Sequence, residues 1–339
     1  MRLFAVMRDE MLRLPYFLDY YRQLGVSRFF LIDNGSCDGL GDYILEQPDC
    51  HLFFTNASYG KSLAGVHWLN ALLDLYGEGH WIVLADADEL LVYPGCEETD
   101  LPHFCDWLSQ GEYRAVYTLL LDMYSALPMH EVNYQEGEDF RTACPYHDSK
   151  YFTVRRYGFP AFPPFEHIGG PRLRLCFNEQ NTPAMWPRLK VKLTRRSLSA
   201  AHRAGFLKRY PAPTVATQAF KVPLVRWTRG DAFINSHRLN PVKLAPVTGA
   251  LLHFKYFQDF RKRIEDALDH GEHYAGSAEY RRYAELLKQN PNLSLADGRS
   301  VLYRSSQDLI DRGLVRADIE WRPNKFNYDF RREPQCSVI

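Results

Sequence analysis

Residues Trp81 to Pro94 read WIVLADADELLVYP. The apolar run from Trp81 to Ala85 is too short for a free-standing helix and fits a buried strand of a parallel sheet. Three carboxylates follow at once: Asp86, Asp88 and Glu89. Open α/β sheets bind their ligands beyond the carboxyl ends of the strands. Asp86 and Asp88 are separated by one residue, so one can take a sugar hydroxyl while the other takes a metal. Hard oxygen ligands of this kind suit Mg²⁺ or Mn²⁺, which bind one or two carboxylates together with substrate phosphates. The competing reading is a solvated acidic turn that caps the next helix.

Upstream of this stretch the chain alternates. Arg2 to Met7 reads as a first strand, with Arg8, Asp9 and Glu10 just past its end. Leu12 to Leu24 carries apolar residues at helical spacing, and Gly25 closes that helix. Phe29 to Ile32 is a second strand, running into the turn formers Asp33-Asn34-Gly35-Ser36-Cys37-Asp38-Gly39. Leu52 to Thr55 is a third strand, and Lys61 to Tyr76 a second long helix. The first hundred residues thus read β-α-β-α-β-α-β, a mostly parallel sheet of the nucleotide-binding kind flanked by helices. No GxGxxG turn or Walker lysine loop accompanies it, which argues against a dinucleotide enzyme or an ATPase.

Downstream, Pro102 to Leu108 suggests a short helix, and Ala115 to Leu121 a strand that ends at Asp122. Tyr124 to Pro187 is poorly periodic and reads as loops and short strands around a site. Within it, Glu166-His167-Ile168-Gly169-Gly170 is part of an acceptor pocket or a plain turn. Val215 to Trp227 and Ala250 to Phe254 have strand character. Apolar spacing then marks helices around 257–268 and 280–287, with a short one at Gln307 to Arg312. The expected division is a sheet domain over 1–255 and a helical extension over 256–339.

The 339 residues are 46% hydrophobic and 24% charged, ordinary values for a soluble globular protein. Zero formal net charge argues against a nucleic-acid binder acting by bulk charge. The N-terminus is charged from Arg8 and lacks the apolar core of a signal peptide. No apolar run approaches the length of a membrane span. The seven cysteines form no CxxC pair and are odd in number, which favours reduced thiols in a cytoplasmic protein. Charge is nevertheless uneven. From Gln180 to Gly230 there is no Asp or Glu, while Arg188, Lys190, Lys192, Arg195, Arg196, Arg203, Lys208, Arg209, Lys221, Arg226 and Arg229 fall there. Trp186, Phe206, Tyr210 and Trp227 lie among them. The segment reads as a solvated surface, or as one that meets a lipid diphosphate, an anionic leaflet at the inner face of the membrane, or donor phosphates.

Several motifs together resemble a family. The opening RDE, the turn LIDNGSCDG and the strand end LADADELL are similar to family 2 glycosyltransferases of the GT-A fold, in the subgroup with DNGS-DG and D-DE motifs. KVPLVRW (221–227), SHRL (236–239) and GALLHFKYF (249–257) are similar to the same subgroup and to the related family 92 enzymes. The resemblance covers roughly residues 1–290, closely over the first hundred and loosely over 124–187. It implies that Asp33 contacts the base or ribose of a nucleotide sugar, bordered by Arg8 and Glu10. It makes Asp86-Ala87-Asp88 the DxD motif, with Asp86 nearer the ribose and Asp88 on the metal. His253 is the late histidine that completes the metal, with His237 in reserve, and Lys255 faces the diphosphate. On the residues alone, His253 points opposite to Leu252 and Phe254 and is equally a satisfied core histidine. Asp33 could instead merely stabilise its own turn, and His237 could bind substrate in a polar loop.

Breaking a sugar–phosphate bond builds negative charge on the leaving diphosphate, which a divalent cation and nearby Lys or Arg offset. Family resemblance implies inversion, hence a carboxylate base for the acceptor hydroxyl. Asp122, Asp148 and Glu166 are the candidates, Asp122 first. The family's ED motif has no clear counterpart. The expected function is metal-dependent transfer of a sugar from a nucleoside diphosphate to a glycan or lipid-linked hydroxyl acceptor in bacterial surface glycan assembly. The alternatives are a nucleotidyltransferase or metal-dependent phosphohydrolase, and a non-catalytic glycan-binding relic.

Overall fold

A computed structural model describes residues 1–148, 153–156, 162–176, 218–270, 274–318 and 320–321. Its first half runs β1 (Arg2–Met7), α1 (Leu14–Gln23), β2 (Arg28–Asp33), α2 (Leu40–Leu45), β3 (Cys50–Phe54), α3 (Val66–Tyr76), β4 (Trp81–Leu84), β5 (Glu89–Val92), α4 (Leu101–Gln110) and β6 (Ala115–Asp122). Then come α5 (Phe140–Ala143), β7 (Tyr146–Asp148), β8 (Thr153–Arg156), β9 (Phe165–Ile168) and α6 (Pro171–Cys176). The last part holds β10 (Phe220–Arg226), β11 (Phe233–Asn235), β12 (Arg238–Leu239), β13 (Leu244–His253), α7 (Phe260–His270), α8 (Tyr274–Gln289), β14 (Ser300–Leu302) and α9 (Ser306–Asp311).

Eight strands form one sheet in the order β3-β2-β1-β4-β10-β6-β13-β5. β1 pairs in parallel with β2 and β4, β2 with β3, and β13 with β6. β10 runs antiparallel between β4 and β6, and β5 antiparallel beside β13. The α/β fold with a mostly parallel sheet flanked by helices is therefore the fold observed. Both faces of the sheet are covered, which is why β4 and β6 are buried along their whole length and read as unbroken apolar runs. On one face Leu14, Phe17 and Tyr21 of α1 pack with Leu101, Phe104 and Leu108 of α4. On the other, Val66, Leu69, Leu72 and Leu73 of α3 meet Phe4, Ile82 and Val225.

Departures from the sequence expectation include a helix start and a strand beside the site. The second long helix begins at Val66, not Lys61. Leu63, Ala64 and Gly65 all have positive φ (52°, 58° and 77°), which breaks the helical turn before it can propagate. At Gly65 the backbone approaches β1 so closely that an added Cβ would stand 2.8 Å from Val6 Cγ2. The second departure is β5, hidden in the sequence because Glu89 opens an apolar tetrad too short to announce a strand.

The segment after 255, read as a helical extension, is packed onto the sheet layers. Tyr256, Phe260, Ile264 and Tyr283 share a core with Tyr124 and Met129, while Tyr303, Leu309 and Trp321 join the main core. β14 pairs with β7. No helix among the described residues is long and apolar enough to cross a membrane. Of the basic segment, Arg188 to Arg209 with Trp186, Phe206 and Tyr210 lie outside the described residues. Trp227 is fully buried and donates its indole N–H to Asp74 Oδ1 at 3.2 Å, so it does not stand at a lipid boundary.

Candidate active site at the carboxyl edge of the sheet

Strand direction gathers the site. β1, β2, β4, β6 and β13 end at one edge, and the two reversed strands, β5 and β10, begin there. In register across three strands, His253 stands opposite Asp122 on β6 and opposite Glu89 on β5. The chain from Leu84 to Glu89 links the fourth strand of the order to the eighth through a turn in which the Glu89 N–H donates to the Asp86 carbonyl at 3.0 Å. Asp86 and Asp88 are carried over that edge on the way.

His253 is the hub. Its Nδ1 lies 2.7 Å from Asp122 Oδ1, and its Nε2 lies 3.5 Å from Asp88 Oδ2. Asp122 is nearly fully buried and takes Arg172 Nε at 2.7 Å on its other oxygen. Burial alone would lower the imidazole pKa, but Asp88 and Asp122 override it and hold the ring up to about 9. Burial likewise favours protonated Asp122, yet Arg172 and His253 bring it down to about 2. Asp88 is held well below the usual carboxylate range against its burial by His253 and Arg263. Asp88 is also fixed through its backbone, because its carbonyl accepts the Phe254 N–H at 2.7 Å.

Two ionic groups flank the hub. Lys221, at the start of β10, places Nζ 2.6 Å from Asp86 Oδ2 and 2.5 Å from Glu89 Oε1. Glu89 Oε2 accepts the Asp86 N–H at 3.0 Å. On the far side, Arg263 of α7 grips Glu10 through both oxygens, at 2.9 and 3.1 Å, and lies 3.8 Å from Asp88. Arg13, fully buried, joins Glu10 to Asp259. Burial pushes both Glu10 and Glu89 up to about 7, against the pull of Arg263 on the first and Lys221 on the second.

The turn after β2 forms the next wall. Asp33 is buried, and its Oδ1 accepts the Ser36 N–H at 2.8 Å. Asp9 and the turn exchange bonds: the Asp9 N–H donates to Ser36 Oγ at 3.0 Å, and the Cys37 N–H donates to Asp9 Oδ1 at 2.8 Å. Arg8 points partly into solvent with Asp9 3.7 Å away. Asp33, Arg8 and Glu10 therefore stand together at the ends of neighbouring strands.

Other expected residues are engaged with partners of their own. Lys255 is paired with Glu279 at 2.9 Å, with its ammonium 4.4 Å from the centre of the Tyr280 ring. His237 lies 2.6 Å from the Phe220 carbonyl through Nδ1, and burial followed by the Lys221 charge lowers it to about 3. Asp148 is fully buried and gripped by Arg174 at 2.9 and 3.2 Å. Glu166 occupies β9 opposite Arg155, and its side chain lies outside the described residues.

Sequence reasoning missed Arg172, Arg263 and the site role of Lys221. Lys221 left a trace, as the one charge opening an otherwise apolar strand, FKVPLV. Arg263 sits among Arg261 and Lys262 on a helix, where spacing does not distinguish it.

Asp88, Glu89 and His253 each bring one ligand atom within 4.8 Å of the others. Both Glu89 oxygens are engaged, by Lys221 and by the Asp86 N–H, which leaves Asp88 and His253 as the donors that fit a divalent ion. Metal-binding imidazoles donate their second ring N–H to a carboxylate, which fixes the tautomer. Asp122 takes that proton from His253 and leaves Nε2 on the Asp88 side.

No family model matches the chain, and no curated protein matches it. Solved structures similar to it include a UDP-glucose pyrophosphorylase from Acinetobacter baumanii, 9% identical, with a TM-score of 0.29 over 85% of this chain and 100% of that one. A UDP-glucose pyrophosphorylase complexed with UDP-glucose is 11% identical, with a TM-score of 0.27 over 66% of this chain and 90% of that one. A putative glucose-1-phosphate thymidylyltransferase from Bacillus anthracis in complex with a sucrose is 10% identical, with a TM-score of 0.26 over 41% of this chain and 65% of that one. At these TM-scores the likenesses carry no weight for function.

Proposed function

We propose that the protein is a metal-dependent glycosyltransferase of the GT-A fold, similar to family 2, that moves a sugar from a nucleoside diphosphate to a hydroxyl acceptor. The observation that carries this reading is the imidazole of His253, fixed by Asp122 on one nitrogen and facing Asp88 with the other. A divalent ion held by Asp88 and His253 would offset the charge that gathers on a departing diphosphate. Asp33, with Arg8 and Glu10, would receive the nucleoside from the neighbouring strand ends, and Asp86 would meet the ribose. Asp122 then acts as a positioning residue. With Arg172 on one oxygen and His253 on the other, its carboxylate is a weak base with neither oxygen left to an acceptor hydroxyl, so we do not assign it the role of base that its strand-end place suggested.

The test is a scan of nucleotide sugars with Mn²⁺ or Mg²⁺. A transferase slowly hydrolyses its cognate donor to the nucleoside diphosphate, and Asp88→Ala should abolish this. Preferential reaction of a nucleoside triphosphate with a sugar phosphate would replace this reading with a nucleotidyltransferase. Binding of glycans with no turnover of any donor would leave a lectin-like relic.

A further inference from the structure

The sheet edge holds more acid than one divalent ion needs. Asp86, Asp88 and Glu89 fall within four consecutive residues, and Glu10 and Asp122 close around Asp88 through Arg263 and His253. Clusters of this kind hold two ions about 3.5–4 Å apart in many phosphate-handling enzymes. Here the chain supplies a cation of its own. The Lys221 ammonium bridges Asp86 Oδ2 and Glu89 Oε1 at 2.6 and 2.5 Å. Its side chain is only 5% exposed, so it does not swing out into water. Its backbone is equally fixed, because the Lys221 carbonyl accepts the Thr118 hydroxyl at 3.1 Å on the neighbouring strand. The strand register shifts immediately afterwards, between Lys221 and Leu224, where Pro223 interrupts the ladder.

We propose that Lys221 is a built-in cation that fills the Asp86–Glu89 pair, so that the native site takes a single divalent ion, at Asp88 and His253. The inference rests on the metal-site reading above and refines it. Lysine suits the role, since its ammonium is a compact point charge with three donors. Removing that charge would leave Glu89 buried and Asp86 beside it without a counter-charge, a condition that a second divalent ion relieves.

The experiment counts bound Mn²⁺ by electron paramagnetic resonance and by calorimetry, with no substrate present. The native protein should bind one ion, Lys221→Met two, and Lys221→Arg one. Circular dichroism confirms that each variant is folded. Two ions in the native protein would overturn the inference alone, even if Lys221→Met does not fold. One ion in a folded Lys221→Met would do the same. No ion in the native protein, or an unchanged count in His253→Ala, would overturn the metal-site reading together with the inference.

Discussion

His253 turns towards Asp88, across 3.5 Å, the ring nitrogen that Asp122 does not hold. With no ion present, the pair is a buried imidazolium and carboxylate. An ion entering between them would take the place of the Nε2 proton, with Asp122 keeping the ring aimed.

Asp88→Ala and His253→Ala should each abolish tight Mn²⁺ binding while leaving the sheet folded. His237→Ala should leave it unchanged, because that ring is engaged with the Phe220 carbonyl. Calorimetric titration of the three variants decides the matter. If only His237→Ala loses the ion, the two histidines exchange roles.

Asp122→Asn should act in two ways. Mn²⁺ affinity should fall about 10–100-fold, the usual cost of losing a carboxylate that orients a metal-bound imidazole. Stability should also fall by roughly 3–5 kcal/mol, because Arg172 is left charged and buried without its partner. Urea unfolding measures the second effect separately from the first. Unchanged affinity in a folded variant would remove Asp122 from the site.

Asp33→Ala should weaken binding of nucleoside diphosphates that carry no sugar. The substitution deletes a buried carboxylate at the end of β2 and its bond to the Ser36 N–H. Calorimetry with UDP and GDP, compared with thermal unfolding, separates pocket from fold. Unaltered affinity would place the nucleoside elsewhere.

His237 gives a pH signature. Its folded pKa, about 3, lies below the ordinary value near 6.5, so the unfolded chain binds the extra proton between those limits. The stability it contributes is present above pH 6.5 and is lost as pH falls from there towards 3. The slope is at most about 1.4 kcal/mol per pH unit, and less for a ring that is only half-buried. His237→Asn keeps a donor for the Phe220 carbonyl but does not titrate. The stability difference between the two proteins should therefore shrink below pH 6.5 and stay constant above it. A difference that is flat from pH 8 to 4 would show that the ring is not held neutral.

The strands of the first hundred residues were legible because a sheet covered on both faces leaves unbroken apolar runs, as in FFLI and WIVLA. Asp33 and Asp86 were legible because each directly follows such a run, and Asp88 because it stands two residues further on. Arg172 and Arg263 were not, and Lys221 only as a lone charge in an apolar run, because their importance comes from contacts with residues 50, 253 and 132 positions away: Asp122, Glu10 and Glu89. Spacing within the chain carries no trace of such contacts. The early start expected for α3 failed for another reason. Apolar periodicity continues through Leu63, but the backbone there is left-handed, and at Gly65 it packs closely on Val6.

The place of β10 has a consequence for synthesis of the chain. It lies between β4 and β6 in the sheet but is translated about 135 residues after the first and about a hundred after the second. Until Phe220–Arg226 leaves the ribosome, β4 and β6 each present an open apolar edge with no neighbour. Such edges recruit other chains. A nascent chain stalled before residue 218 should accordingly depend on chaperones and be open to protease, and become resistant only once β10 and then β13, the two neighbours of β6, have been made. Lys221, which neutralises the acidic edge, thus arrives with the strand that joins β4 to β6, so the carboxylates of Asp86 and Glu89 are not sealed in before their counter-charge is there.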